Sequence, residues 1–216
     1  MVTMGDSTDL TRRVDRQRGA CVLIAIKARA QCKTRLSEAL APSARIPLVR
    51  SMLAAVLAAA AGARTVRQIM VVSPERDSIP AQIPVLADTG KSLNGALTQA
   101  HRMLREFGCG EIVILPADLP TIGAADIDGL VRAGRRGGFA IAPDAAGVGT
   151  NALCLVSPHS YRFKFGPDSQ RLHLEEARRI GLDPQVVRLP GLEFDVDLPA
   201  DLDRLDGQRW LARLQA

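Results

Sequence analysis

Residues 111–120 read EIVILPADLP: four unbroken apolar residues, a proline, and an acid at Asp118 just past the run. A short apolar run without alternation marks a strand covered on both faces, as in a mainly parallel sheet. CVLIAI at 21–26 has the same character, and RQIMVVSP (67–74), IPVLAD (83–88), GFAIAPD (138–144), TNALCLVSP (150–158) and PQVVRLP (184–190) also read as strands. Helical patterns separate most of them. One runs from about Ser43 to Ala61, with Ser43 as N-cap, Leu48, Met52 and Val56 on one face, and Gly62 closing it. Others are SLNGALTQAHRMLREFG (92–108), IGAADIDGLVRAGRR (122–136) and SQRLHLEEARRIG (169–181), the last capped by Ser169 and Gly181, and a short helix ends the chain. Apolar strands alternating with helices predict an α/β fold, a mainly parallel central sheet with helices on both faces.

The chain has 216 residues, enough for one such domain, which is placed at 20–216. Residues 1–19, polar and containing TRRVDRQRG, read as a disordered lead-in without the apolar core of a signal peptide. The Ala-rich run MLAAVLAAAAGA (52–63) is too short to span a bilayer and reads as a buried helix. Cys21, Cys32, Cys109 and Cys154 are widely spaced, with no CxxC pair. They read as reduced, packed thiols of a cytoplasmic protein. The formal net charge of +5 and a pI near 9.4 favour anionic partners. The arginines form no dense block, and aromatics are only 3%, so nucleic-acid binding by base stacking is not expected.

Against that basic background, acids gather at two Leu-Pro turns, PADLP (116–120) and FDVDLPADL (194–202). Ligands of open parallel sheets sit beyond the carboxyl ends of the strands, where Asp118 falls. Asp195 and Asp197 are two apart, so in an extended segment they project to the same side. Together the three offer hard oxygen ligands for Mg²⁺ shared with substrate phosphates. Asp126, Asp128, Asp201 and Asp203 read as turn and first-turn acids instead.

Lys27, Lys33 and Arg35 follow the first strand and would neutralise a triphosphate and a leaving pyrophosphate. The loop has neither Walker A nor GxGxxG glycine spacing. KFGPDS (164–169) sets Gly166 and Ser169 at a helix start, an anion site in principle, while Ser169 alone reads equally as a plain N-cap. GVGTN (147–151) adds permissive backbone and the side chains of Thr150 and Asn151. Asn94, with Gly95 beside it, carries a donor and an acceptor suited to a base edge. His173 reads as a surface or half-buried histidine, not a general base.

The strings AIKARAQCKTRL, SLNGAL, PADLP, GTNALC, KFGPDS and FDVDLPADL occur in this order and cover most of the chain after residue 20. The set resembles the phospholactate and phosphoenolpyruvate guanylyltransferases of deazaflavin coenzyme F-420 biosynthesis. The resemblance implies a single nucleotidyltransferase domain of glycosyltransferase-A-like, Rossmann-like type. It implies transfer of GMP from GTP to the phosphate of phosphoenolpyruvate, 2-phospholactate or 3-phosphoglycerate, with pyrophosphate released. Asp118, Asp195 and Asp197 would hold Mg²⁺; Lys27, Lys33 and Arg35, with Asp118, would be catalytic; the same cations with Asn94 and Gly95 would bind the nucleotide. Thr150, Asn151, Gly166 and Ser169 would hold the phospho-acid. The expected partners are those two substrates and a downstream transferase that uses the GDP-linked product, without nucleic acid or membrane. Related enzymes are often dimers, so a homodimer is also among the expectations. The competing readings are a molybdenum-cofactor or sugar-phosphate nucleotidyltransferase, which usually opens with a Gly-rich loop absent here, and a non-catalytic nucleotide-binding module.

Overall fold

Strands buried on both faces build the two sides of the core. The computed structural model describes residues 19–26, 36, 40, 42–88, 92–157, 160–197 and 199–205, so Lys27, Lys33, Arg35 and Cys32 lie outside the described residues. The strands are β1 (Ala20–Ala25), β2 (Val66–Ser73), β3 (Val85–Ala87), β4 (Glu111–Pro116), β5 (Gly138–Pro143), β6 (Thr150–Val156) and β7 (Asp183–Val186). The helices are α1 (Pro42–Gly62), α2 (Leu93–Glu106), α3 (Ala124–Gly137), α4 (Ser169–Arg179), α5 (Pro190–Glu193) and α6 (Pro199–Arg204). They form one seven-stranded sheet in the order β3-β2-β1-β4-β6-β5-β7. Every described pairing is parallel except those of β6, which runs antiparallel to both β4 and β5.

Odd and even strand residues face different helical layers. Val22 and Ile24 of β1, with Val113 and Leu115 of β4, pack against Leu53, Val56 and Ala60 of α1 and Ile127, Leu130 and Val131 of α3. Cys21 and Leu23, with Ile112 and Ile114, pack instead with Leu97, Ala100 and Leu104 of α2 and Ala177 of α4. The expected helices on both faces of a mainly parallel sheet are thus observed. By length and composition α1 could cross a membrane, but Met52, Leu53, Val56 and Ala60 on its inner face are buried in this core.

Two expectations are corrected. Cys21 and Cys109 are joined in a disulfide with Cα atoms 6.2 Å apart, although reduced thiols are expected from the sequence. The start of β1 and the turn after α2 meet in space, a contact that a separation of 88 residues conceals. Cys154 is free and buried. Second, helix α1 begins at Pro42, ahead of the expected cap Ser43.

Asp128 of α3 ties that helix to the turn after α1. It accepts hydrogen bonds from the Arg64 N–H (3.3 Å), the Thr65 N–H (2.9 Å) and the Thr65 hydroxyl (2.7 Å). Burial works against the charge, but the Thr65 and Arg64 donors outweigh it and hold the carboxyl below its ordinary value. A lowered folded-state pKa stabilises above the unfolded value, near 3.9, and that contribution fades as pH falls through the folded value. Asp128→Ala is therefore expected to cost about 1–3 kcal/mol near neutral pH. In urea unfolding the gap from wild type should shrink between pH 5 and pH 3; a gap that stays constant over that range would contradict this account.

Candidate active site

β1 and β4 end side by side, Ala25 opposite Pro116. The segment with Lys27, Lys33 and Arg35 follows Ala25 in sequence, and Asp118 lies two residues beyond Pro116. Because β6 is reversed, its first residues reach this same edge, Thr150 opposite Pro143 at the end of β5. The β5–β6 register slips between Ala142 and Pro143. Strict alternation with Ala152 and Cys154 would turn Thr150 toward the α1/α3 layer and Asn151 toward the α2/α4 layer. Beyond the slip, Thr150 instead bonds to His173 of α4, and Asn151 bonds to Leu192 of α5. Bulges commonly re-aim side chains in this way.

The two acidic turns are clipped together by main chain. The Val196 N–H donates to the Asp118 carbonyl at 3.3 Å. Val196 is fully buried with Leu36, Leu48, Met52 and Leu205. Since Val196 points into that cluster, Asp195 and Asp197 on either side are turned the other way. Asn151 is buried, and its amide donates to the Leu192 carbonyl at 2.9 Å and to Asp195 Oδ1 at 3.4 Å. Asp201 accepts from the Asp197 N–H at 2.9 Å, in keeping with its reading as a first-turn acid.

Asp195 is the electrostatic centre of this group. Burial, then the nearby charges of Asp118 and Asp197, push its carboxyl up to about 6, with the Asn151 hydrogen bond pulling the other way. Among the described residues, no three His, Cys, Asp or Glu side chains are gathered tightly enough to hold an ion by themselves. Mg²⁺ does not need such a cage: it is usually held by one or two carboxylates, with substrate phosphates and waters filling the shell. Three half-buried carboxylates, two of whose charges add to burial in raising the proton affinity of Asp195, are a donor set that a divalent cation would relieve.

A second group lies on the other side of β6. His173 is fully buried, where a surface or half-buried histidine is expected from the sequence. Its Nδ1 lies 3.1 Å from Thr150 Oγ1, and its Nε2 accepts the Lys164 N–H at 2.9 Å. Asn94 donates to the Phe165 carbonyl at 3.0 Å and accepts the Phe165 N–H at 2.8 Å. Each end of the amide thus holds the Phe165 main chain, so Asn94 clamps the loop before α4 with one N–H and one lone pair left over. Gly95 is also spoken for, its N–H capped by Ser92 Oγ at 3.2 Å. In the loop, Gly166 has φ +133° with open space around it, and Asp168 stands at the N-cap with φ 54°. Ser169 is therefore the first residue of α4 rather than its cap, and it is 2% exposed. Asp144 accepts the N–H groups of Val148 and Gly149, both at 2.9 Å, which shapes the turn ahead of Thr150.

The Asn151 amide N–H groups support the Leu192 carbonyl and Asp195, a role additional to the expected phospho-acid contact. The sequence contained a usable signal for His173. Ser169, His173, Glu176 and Ala177 are all buried and spaced 0, 4, 7 and 8 along α4, the stripe of an amphipathic helix.

The fold, an open sheet with one reversed strand, is shared with solved transferase and synthetase structures, and the chain's family and relatives make it a nucleotidyltransferase. A structure from Desulfovibrio desulfuricans G20 described as a nucleotide-diphospho-sugar transferase aligns with TM-score 0.72 at 18% identity, covering 86% of this chain and 85% of that one. CMP:2-keto-3-deoxy-manno-octonic acid synthetase complexed with CTP aligns with TM-score 0.59 at 13% identity, covering 90% and 99%. Within the class, the chain belongs to the family described as "Guanylyl transferase CofC like", which matches residues 20–206. It is 38% identical over 193 residues to a phosphoenolpyruvate guanylyltransferase of Rubrobacter xylanophilus, covering 85% of this chain and 92% of the relative. It is 36% identical over 191 residues to a 2-phospho-L-lactate guanylyltransferase of Methanothermobacter thermautotrophicus, covering 86% and 83%.

Charge crowding at Asp195 makes a stability prediction of unusual sign. A carboxyl whose folded-state value is raised binds its proton more tightly when folded, so stability falls as pH rises from about 4 to about 6. Asp195→Asn removes that charge and keeps the Asn151 contact in reach. The variant is expected to melt a few degrees higher than wild type at pH 7, at about 2–4 °C per kcal/mol for this size. A lower melting temperature in calorimetry would show that the crowding costs the fold nothing.

Proposed function

We propose that the protein transfers GMP from GTP to the phosphate of a small three-carbon phospho-acid and releases pyrophosphate, in deazaflavin coenzyme F-420 biosynthesis. The acid is phosphoenolpyruvate, 2-phospholactate or 3-phosphoglycerate, and the named relatives favour the first two. One observation carries the reading: the two groups of site residues meet at consecutive positions of β6. Asn151 steadies the acidic turns, while Thr150 bonds to His173 on the helix that starts at Ser169, just after Gly166. Consecutive Cα atoms are about 3.8 Å apart, so a triphosphate at the acids and a phosphate at the loop would lie within reach of each other.

In this reading the phospho-acid binds through Thr150, Gly166 and Ser169. One of its phosphate oxygens forms a bond to the α-phosphorus of GTP in line with the breaking bond to the β-phosphate bridging oxygen. The nucleophile is already anionic, so no general base is needed, and buried neutral His173 is not one. Lys27, Lys33 and Arg35 take up charge on the departing pyrophosphate. Asp118, Asp195 and Asp197 fit Mg²⁺, which when bound would screen the repulsion between the two phosphate groups. Orientation and charge neutralisation supply the catalysis. The reading implies a cytoplasmic enzyme, where both substrates are made, and a downstream transferase that consumes the GDP-linked product.

Pyrophosphate release with GTP and each acid in turn, with and without Mg²⁺, tests the proposal. Asp118→Asn is expected to lose on the order of 100-fold in turnover with the melting temperature kept. Ser169→Ala should raise KM for the acid roughly 5- to 10-fold and leave KM for GTP unchanged. No acid-dependent pyrophosphate from any of the three acids, or near-normal turnover by Asp118→Asn, would refute it.

A further inference from the structure

The ring of His173 has only one consistent hydrogen-bonding state. The Lys164 backbone N–H can only donate, so Nε2 must accept at that 2.9 Å contact and carries no proton. In the neutral ring the proton then sits on Nδ1, which donates to Thr150 Oγ1 at 3.1 Å. Were the Thr150 hydroxyl to donate to Nδ1 instead, Nε2–H would face the Lys164 N–H, two donors against each other. Burial, with Lys164 adding to it and Glu176 opposing, lowers the imidazole to about 4, so the ring stays neutral through the physiological range.

The ring is also held mechanically. Phe165 meets it edge-on with centroids 4.8 Å apart, and Tyr161 stacks on it at 6.1 Å. The Tyr161 hydroxyl donates to the His173 carbonyl at 3.4 Å. In a chain with 3% aromatic residues, this concentration on one imidazole is notable for what it restrains. A threonine hydroxyl has a single proton. Once its oxygen accepts from His173, that proton is left to point elsewhere. A phosphate or carboxylate near neutral pH has essentially only acceptors to present, so a hydroxyl that binds one must donate.

We propose that His173 is a positioning residue for guanylyl transfer: it sets the Thr150 hydroxyl as a donor aimed at the phospho-acid and ties it to the loop carrying Gly166 and Ser169. The inference rests on the proposed reading that Thr150 contacts the acid. It differs from a packing role because it predicts an effect on one substrate only. Histidine-ligand orientation by a second hydrogen bond is a familiar device at metal sites, and here the oriented group is a hydroxyl.

Steady-state kinetics of the full chain with GTP and the acid that gives the fastest turnover decide it, with melting temperatures measured alongside. Thr150→Val should raise KM for the acid about 10-fold and change KM for GTP less than 2-fold, and Thr150→Ser should stay near wild type. His173→Phe should raise the acid KM by about the same factor, and the double variant His173→Phe, Thr150→Val should be no worse than Thr150→Val alone. His173→Asn, whose amide N–H can stand where Nδ1–H stood, should keep the acid KM within about 3-fold although it loses the Lys164 contact. Additive losses in the double variant, equal rises in both KM values, or a folded His173→Asn with a loss as large as that of Thr150→Val overturn the positioning role. An unchanged acid KM in Thr150→Val removes the substrate site itself, and the inference with it.

Discussion

Strand β6 runs against β4 and β5, with Ile114 opposite Leu153 and Ala142 opposite Ala152, so its first residues emerge where the parallel strands finish. The rest of the site follows from that reversal. Were β6 parallel, Thr150 and Asn151 would lie at the far edge of the sheet, away from Asp118. The reversal costs the core nothing, because β6 is covered on both faces: Ala152 and Cys154 meet the α1/α3 layer, and Leu153 and Leu155 the α2/α4 layer. Adjacent side chains of a strand point to opposite faces, and the register slip at Pro143 exchanges which layer Thr150 and Asn151 each meet. One strand end would thereby supply both halves of the proposed two-substrate site.

The acidic half is held by apolar packing rather than by attraction among its members. Asp118, Asp195 and Asp197 repel, and that repulsion adds to burial, the larger cause, in raising the proton affinity of Asp195. What keeps them together is Val196, buried among Leu36, Leu48, Met52 and Leu205, and its N–H on the Asp118 carbonyl. Fully burying one valine is worth about 1.5–3 kcal/mol, comparable to what a few partly screened carboxylates can cost. The fold therefore carries a local instability that a cation and its phosphates would discharge. Such strain at a site, offset by packing around it, is the usual form of preorganisation.

Most of the architecture was legible because both-face burial writes itself into the strands. Runs such as EIVILP and CVLIAI can hardly be anything else at their length, and the helices between them are periodic and capped. Asp195-Val196-Asp197 was readable for a similar reason, since an acid–apolar–acid triplet in extended chain turns both acids one way. The antiparallel sense of β6 was not legible, because a strand buried on both faces looks the same in either direction. The Cys21–Cys109 bond and the Asn94–Phe165 clamp are contacts across long separations, and no local pattern announces them. Residue type left Asn94 and Asn151 open: an amide suited to a ligand edge is equally suited to a peptide group, and both amides here bond peptide groups.

That outcome has a physical logic. Asn94, Asn151 and His173 each have two hydrogen-bonding ends, and each spends at least one of them on main chain: Phe165, Leu192 and Lys164 respectively. Long, rotatable polar groups make poor first contacts for a small anion, because ordering them costs side-chain entropy. Bound to backbone they lose that freedom during folding instead of during the reaction. In the proposed function, contact with the substrate is then left to short groups with few states: a threonine, a serine, and the backbone of a glycine at positive φ. A site so divided would recognise its acid through the positions of a few small donors. Changes in the residues behind them should therefore shift which phospho-acid fits without touching the acid itself.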